Sequence, residues 1–144
     1  MIYVLGVDPG KHTGLCLLTY DISNDEINYM CHNTINDINI TVLMDWIEEK
    51  IPAIAMTNTV VCVENMVMTG SITQGKVAQI QAMTVVKEVC RVQELIHKLM
   101  SPETRRKINR ELKQIPHVIK NDHSQDAFRI AKAYILLNKS SWLS

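Results

Sequence analysis

The chain is 144 residues long, 47% apolar, and carries fifteen basic and fifteen acidic residues for a formal charge of zero. That size suits one domain with a single core, expected to span 1–144. No apolar run approaches membrane-spanning length and the N-terminus lacks the order of a signal peptide, so no membrane partner and a cytoplasmic location are expected.

Cys16, Cys31, Cys62 and Cys90 are widely spaced with no C-x-x-C pair, which reads as reduced core thiols and argues against a thiolate zinc site. The neutral total hides a split. Residues 1–50 hold two basic against eight acidic residues, or −6; residues 51–144 hold thirteen against seven, or +6. Such a split suggests one face able to meet phosphates and another that is not.

In chain order, Ile2 to Val7 is an apolar, β-branched run that predicts a buried strand ending at Asp8-Pro9-Gly10. Taken alone, Asp-Pro-Gly is turn chemistry, with Pro fixing φ and Gly permitting φ > 0. A carboxylate facing a buried sheet is costly unless it is paired or binds a cation, so Asp8 calls for partners. Thr13–Tyr20 is the second strand, Asp21–Glu26 a hairpin loop and Ile27–Thr34 the third strand. Asn33–Asn39 is Asn/Asp-rich and reads as a loop. From Ile40 to Ile51, Val42, Leu43, Trp46 and Ile47 recur at helical spacing, and Pro52 stops the helix.

Thr59–Val63 predicts another buried strand, ending in Glu64. Met66–Gly75 is a loop. Lys76 to about Arg91 is helical, with Val77, Ile80, Met83/Thr84 and Val86/Lys87 as its apolar stripe. Leu95–Met100 reads as a fifth strand or as a continuation of that helix, and the strand is preferred. Ser101-Pro102-Glu103 starts a strongly basic helix over Pro102–Gln114, with Ser at N-cap and Pro at N1. Pro116–Asn121 is a linker. The last helix opens with Asp122 as N-cap and Gln125 at the capping-box position, and buries Ala127, Ile130, Ala131, Tyr134 and Leu137. This order predicts an α/β domain with a five-stranded mixed sheet flanked by helices.

Three acids stand in comparable places: Asp8 and Glu64 end buried strands, and Asp126 lies in the first turn of the last helix. Parallel strands release their carboxyl ends side by side, where α/β sheets place ligands. His123 and Asp126 are three apart and share one helix face. Singly, Glu64 is an ordinary surface acid, Asp126 a helix-dipole partner and His123 a satisfied surface histidine. Together they are the oxygen-rich set that hard divalent cations need. Two such ions about 3.5–4 Å apart can activate water and stabilise the leaving oxygen of a phosphodiester.

The run Gly6-Val7-Asp8-Pro9-Gly10-Lys11-His12-Thr13-Gly14 resembles the opening motif of the RuvC family of Holliday junction resolvases, in the RNase H-like superfamily. Val60-Val61-Cys62-Val63-Glu64 resembles its second acidic strand. Asp122-His123-Ser124-Gln125-Asp126-Ala127, followed by Ile130-Ala131, resembles its last motif. The resemblance runs through nearly the whole chain, whose length is similar to that of compact, phage-type members. It implies an RNase H-like nuclease domain and a crossover junction endodeoxyribonuclease of DNA recombination and repair. The implied cofactor is Mg²⁺, with Mn²⁺ substituting; a phage protein would work in its host's cytoplasm.

By the same resemblance Asp8, Glu64 and Asp126 are the metal-binding carboxylates, with His123 as fourth group and Asp122 as its rival. Lys107, with Arg106 as the alternative, is the basic residue nearest the scissile phosphate. Lys11, Lys76, Arg105, Arg106, Lys107 and Arg110 are the expected DNA contacts, although a charge run on a helix is commonly just a solvated face. The expected partners are four-way DNA and a second copy of the chain, because a two-fold junction needs two cuts. The helix after Lys76 is the expected dimer surface.

One departure bears on selectivity. Residues 65–68 read Asn65-Met66-Val67-Met68, where cellular members carry a stacking aromatic. That leaves tight four-way selectivity open against a broader activity on branched DNA. The competing readings are a general RNase H-like nuclease on hybrids or flaps, an ATP-binding module of sugar-kinase or actin type, and a non-catalytic DNA-binding module. The ATPase architecture needs two such domains, and three intact acids argue against an inert module.

Overall fold

The computed structural model describes residues 1–65 and 70–143, so Val67 and most of the apolar part of the expected loop lie outside the described residues. Strands β1 (Ile2–Asp8), β2 (His12–Asp21) and β3 (Glu26–Asn36) come first, followed by α1 (Ile40–Lys50) and a 3₁₀ segment Ala53–Asn58. Then come β4 (Thr59–Glu64), α2 (Gln74–Val92) and β5 (Ile96–Met100). The chain ends with α3 (Pro102–Arg106), a 3₁₀ segment Asn109–Leu112 and α4 (Asp122–Leu143).

The five strands form one mixed sheet in the order β3-β2-β1-β4-β5. β1, β2 and β3 pair antiparallel, while β4 runs parallel to both β1 and β5. The sheet therefore has the expected architecture, with β1 at its centre. The segment 96–100 is a strand.

Alternation along the central strands divides the core. Leu5, Val7, Leu15, Leu17, Val61 and Val63 pack against Leu43, Trp46 and Ile47 of α1 and Val86 and Val89 of α2. Val4, Cys16 and Leu18 face the opposite way, onto Ala127, Phe128, Ala131 and Ile135 of α4. Cys62 joins Met100, Leu112, Ile130 and Ala133 on that second side. Burial pushes the thiols of Cys62 and Cys90 up to about 12, and raises those of Cys16 and Cys31, as suits reduced core cysteines.

Gly6 lets α4 lie close on the sheet. A Cβ there would fall 2.1 Å from the Ala127 carbonyl oxygen and 2.9 Å from the Ala131 Cβ. Only a residue without a side chain allows that approach.

Several sequence expectations need correction. Residues 33–36 are not loop: Thr34, Ile35 and Asn36 pair with Gly14, Thr13 and His12, and β3 ends where Asp37 adopts φ 49°. Ladder bonds to β2 outweigh the turn preference of Asn. The expected helix over 102–114 is broken after Arg106 and resumes as a 3₁₀ segment, which seats Leu112 among Cys62, Met100, Ile130 and Ala133. In α2 the buried stripe is Ala82, Val86, Val89 and Cys90, whereas Val77 and Ile80 lie exposed. Leu137 of α4 is likewise exposed.

The cap of α4 is Asn121, not Asp122. The Asn121 side-chain oxygen accepts from the N–H groups of His123 at 2.9 Å and Ser124 at 3.4 Å. Gln125 forms no capping box; its side-chain amide donates to the Ile119 carbonyl at 3.0 Å. The helix begins one residue earlier than the sequence suggested, so Asp122 is its exposed first residue.

Candidate active site

Register and alternation put the first two acids together. Val7 of β1 pairs with Val63 of parallel β4, so Asp8 and Glu64 follow next at the two strand ends. Val7 and Val63 both pack toward α1 and α2. Their successors therefore point to the α4 side of the sheet.

The opening turn of α4, which Asp126 follows, positions the third acid. Gly14, paired with Asp8 across the β1–β2 hairpin, lies directly beneath this turn. The turn is also tied to β3. Ser124 is fully buried and donates its hydroxyl to the Asn33 carbonyl at 2.9 Å; it also lies 2.8 Å from the Thr34 hydroxyl. His123 Nδ1 consequently lies 3.5 Å from Asp8 Oδ2.

Charge confirms the convergence. Burial pushes the Asp8 carboxyl up to about 6, and the negative charges of Asp126 and Glu64 push the same way, against the opposing pull of His123. An acid in this state gains from any cation that enters.

Two arginines occupy the other acids. Arg105 of α3 meets Glu64, with Nε 2.5 Å from Oε2 and a guanidinium nitrogen donating to Oε1 at 3.2 Å. The shorter contact is an ion pair with poor hydrogen-bond alignment, since Arg105 Nε and Glu64 Oε2 are both buried without a directed partner. Arg129, one turn along α4, donates to Asp126 Oδ1 at 2.7 Å. With Glu64 and Asp126 so engaged, no three His, Cys, Asp or Glu side chains among the described residues close around one point.

The donor set nevertheless fits a hard divalent cation. Three carboxylates and an imidazole lie at neighbouring element ends; two of the carboxylates are paired with guanidinium groups, and the third is raised chiefly by its burial.

Of the expected site residues, His123 thus stands beside Asp8, and Asp126 and Glu64 are near enough to raise the Asp8 carboxyl. Of the basic residues expected to meet DNA, Arg105 pairs with Glu64, while Arg106, Lys107 and Arg110 are exposed. Lys11 is exposed in the turn after Asp8, and the Lys76 ammonium donates to the Ser71 carbonyl at 3.0 Å. Sequence reading missed two residues. Arg129 was legible as the i+3 partner of Asp126. The His12 ring lies 5.6 Å from that of His123, and its Nδ1 is 2.5 Å from the Asn36 side-chain oxygen. Only the β2–β3 register could have revealed that neighbour.

No protein-family model and no curated protein sequence matches the chain. Solved structures do. Thermus thermophilus RuvC superposes with a TM-score of 0.74 at 13% identity, covering 97% of each chain. T. thermophilus RuvC in complex with Holliday junction substrate gives 0.71 at 14% identity, covering 96% of this chain and 98% of that one. The fowlpox virus Holliday junction resolvase gives 0.64 at 12% identity, covering 94% and 99%. The fold is that of RuvC and of the fowlpox virus resolvase over nearly the whole chain.

Proposed function

We propose that this chain, which shares the fold of RuvC and the fowlpox resolvase, is a divalent-metal-dependent endonuclease that cuts branched DNA, four-way junctions first. The observation that carries the reading is the placement of the Asp8 carboxyl at the end of β1, beside His123 of α4 and raised by its burial and by Asp126 of α4 and Glu64 of β4. Asp8, Glu64 and Asp126 would hold Mg²⁺ or Mn²⁺, with His123 as the fourth group. A bound divalent pair supplies an activated water and stabilises the leaving oxygen of a phosphodiester.

The chain's own residues supply the rest. His123 carries its Nδ1 3.5 Å from Asp8 Oδ2, where the imidazole can ligate beside that carboxylate. Arg105 is held beside Glu64 and can meet phosphate charge at the site. Arg106, Lys107 and Arg110, exposed on the same segment, with Lys11 in the turn after Asp8 and Lys76 at the start of α2, extend the basic track for the backbone.

A homodimer suits this substrate, since opposed cuts in a two-fold junction need two sites. The surface for the second copy is the exposed side of α2 beside the edge strand β5. Ile80 and Leu99 are exposed there in the walls of a cavity of about 450 Å³, with Met83 and His97, and Val77 is exposed one turn earlier on α2.

The direct test incubates the protein with labelled four-way, three-way, flap and linear duplex DNA, in Mg²⁺ or EDTA. Paired nicks in the four-way junction with Mg²⁺, and none in EDTA, are expected. Cleavage confined to hybrids or flaps would favour a general RNase H-like nuclease instead.

A further inference from the structure

Arg105 and Arg129 share more than their acidic partners. With Leu112 and Lys113 they line a cavity of about 370 Å³ on the α4 side of the sheet. Buried Leu112 forms part of its wall, and Lys113 has no ion-pair partner among the described residues. The Arg105 side chain is 21% exposed and that of Arg129 30%, so both are partly withdrawn from water while each faces a carboxylate. A water takes about 30 Å³ of liquid volume, so the cavity has room for a tetrahedral anion and several waters.

We infer that the cavity between Arg105, Lys113 and Arg129 binds one DNA backbone phosphate, and that the two arginines turn to it when divalent cations take over Glu64 and Asp126. The inference rests on the nuclease reading for its source of phosphate, but its geometry is independent of it. A guanidinium presents the same fork of donors to a carboxylate and to a phosphate, so each arginine can exchange one for the other. In the metal-free protein the arginines neutralise acids that would otherwise repel one another. Cation binding at the acids displaces that positive charge by like-charge repulsion, and an anion in the cavity then compensates it. Metal and phosphate therefore assist each other's binding, and the assistance is reciprocal. Arg129 thereby becomes a phosphate-positioning residue that the opening motifs of the sequence do not reveal.

The test uses dimethyl phosphate, an uncut analogue of one backbone phosphodiester, with the full chain labelled with ¹⁵N. The Arg105 and Arg129 Nε–H resonances are followed through additions of Mg²⁺ and of dimethyl phosphate, against NaCl at equal ionic strength. Both resonances are expected to move with Mg²⁺. They are expected to move again with dimethyl phosphate when Mg²⁺ is present and several-fold less when it is absent. Apparent Mg²⁺ affinity should rise by the same factor when dimethyl phosphate is added. R129Q should lose the second movement at Arg105, and K113Q, altered at an exposed position, should weaken it with an unchanged melting temperature. Resonances that ignore Mg²⁺, or that respond to dimethyl phosphate no more than to NaCl, overturn the inference and return both pairs to a structural role. Junction cleavage measured alongside keeps the two readings apart. Movements without cleavage leave the phosphate site standing and remove the nuclease reading, whereas cleavage without movements removes the phosphate site alone.

Discussion

Gly14 lies under the first turn of α4 so closely that a Cβ on it would fall 2.0 Å from the His123 carbonyl oxygen. The same added atom would be 2.9 Å from the Ser124 nitrogen. Backbone, not a flexible side chain, blocks that space. Gly14→Ala must therefore lift the turn that carries His123 and Asp126 away from Asp8. A stability loss of about 3 kcal/mol is expected from such overpacking. Cleavage should fall further than the loss of folded protein explains, as denaturant melts and turnover per folded molecule would measure. A variant with wild-type turnover would show that the helix start need not sit where it does.

The start of α4 separates capping from chemistry. Asn121 holds the N–H groups of His123 and Ser124, so Asn121→Ala should cost about 1 kcal/mol. Asp122 is exposed outside that cap, and Asp122→Ala should stay within about 0.5 kcal/mol of wild type. His123→Ala should leave melting nearly unchanged and depress cleavage strongly. If Asp122→Ala abolished cleavage at an unchanged melting temperature while His123→Ala did not, Asp122 would be the fourth group of the site.

Asp8 makes metal-free stability depend on pH in a specific direction. Its carboxyl is raised from 3.8 to about 6, so the folded state favours the protonated form. The stabilisation is complete below about 3.8 and is lost as pH rises through about 6. In EDTA, Asp8→Asn should thus melt higher than wild type at pH 8, by on the order of 2 kcal/mol, with the gap closing toward pH 4. Added Mg²⁺ should stabilise wild type and not the variant. A gap independent of pH would mean that Asp8 is not strained by its neighbours.

The exposed cations form a separate test. Replacing Arg106, Lys107 and Arg110 with Ala should weaken DNA binding and flatten its salt dependence, by about 0.9 in slope for each phosphate no longer neutralised. These side chains engage no acid among the described residues, so stability should hardly change. An unaltered slope would make this segment a solvated face.

What could be read in the sequence follows from where each signal lives. Asp8 and Glu64 were legible because buried strands advertise themselves by β-branched runs, and an acid at such an end is conspicuous. His123 and Asp126 were legible through helical spacing. The break after Arg106 was not, because the burial of Leu112 against β4, β5 and α4 decides it, and those elements come from distant parts of the chain. Nor was the cap: Asn121 and Asp122 are both good caps, and a one-residue shift rests on the bonds tying Ser124 and Asn121 to β3. The partner of Glu64 was equally hidden. Arg105, Arg106 and Lys107 look alike in sequence, and only the path of the chain after β5 selects Arg105.

The most direct measurement compares Asp8→Asn, Glu64→Gln and Asp126→Asn with wild type on a labelled four-way junction in Mg²⁺. Each change removes a charge while keeping shape, so a metal ligand is removed without disturbing the fold. All three variants should bind the junction about as tightly as wild type in EDTA, and none should cut it in Mg²⁺. Substantial cleavage by any two of them would contradict a metal centre built from these three carboxylates.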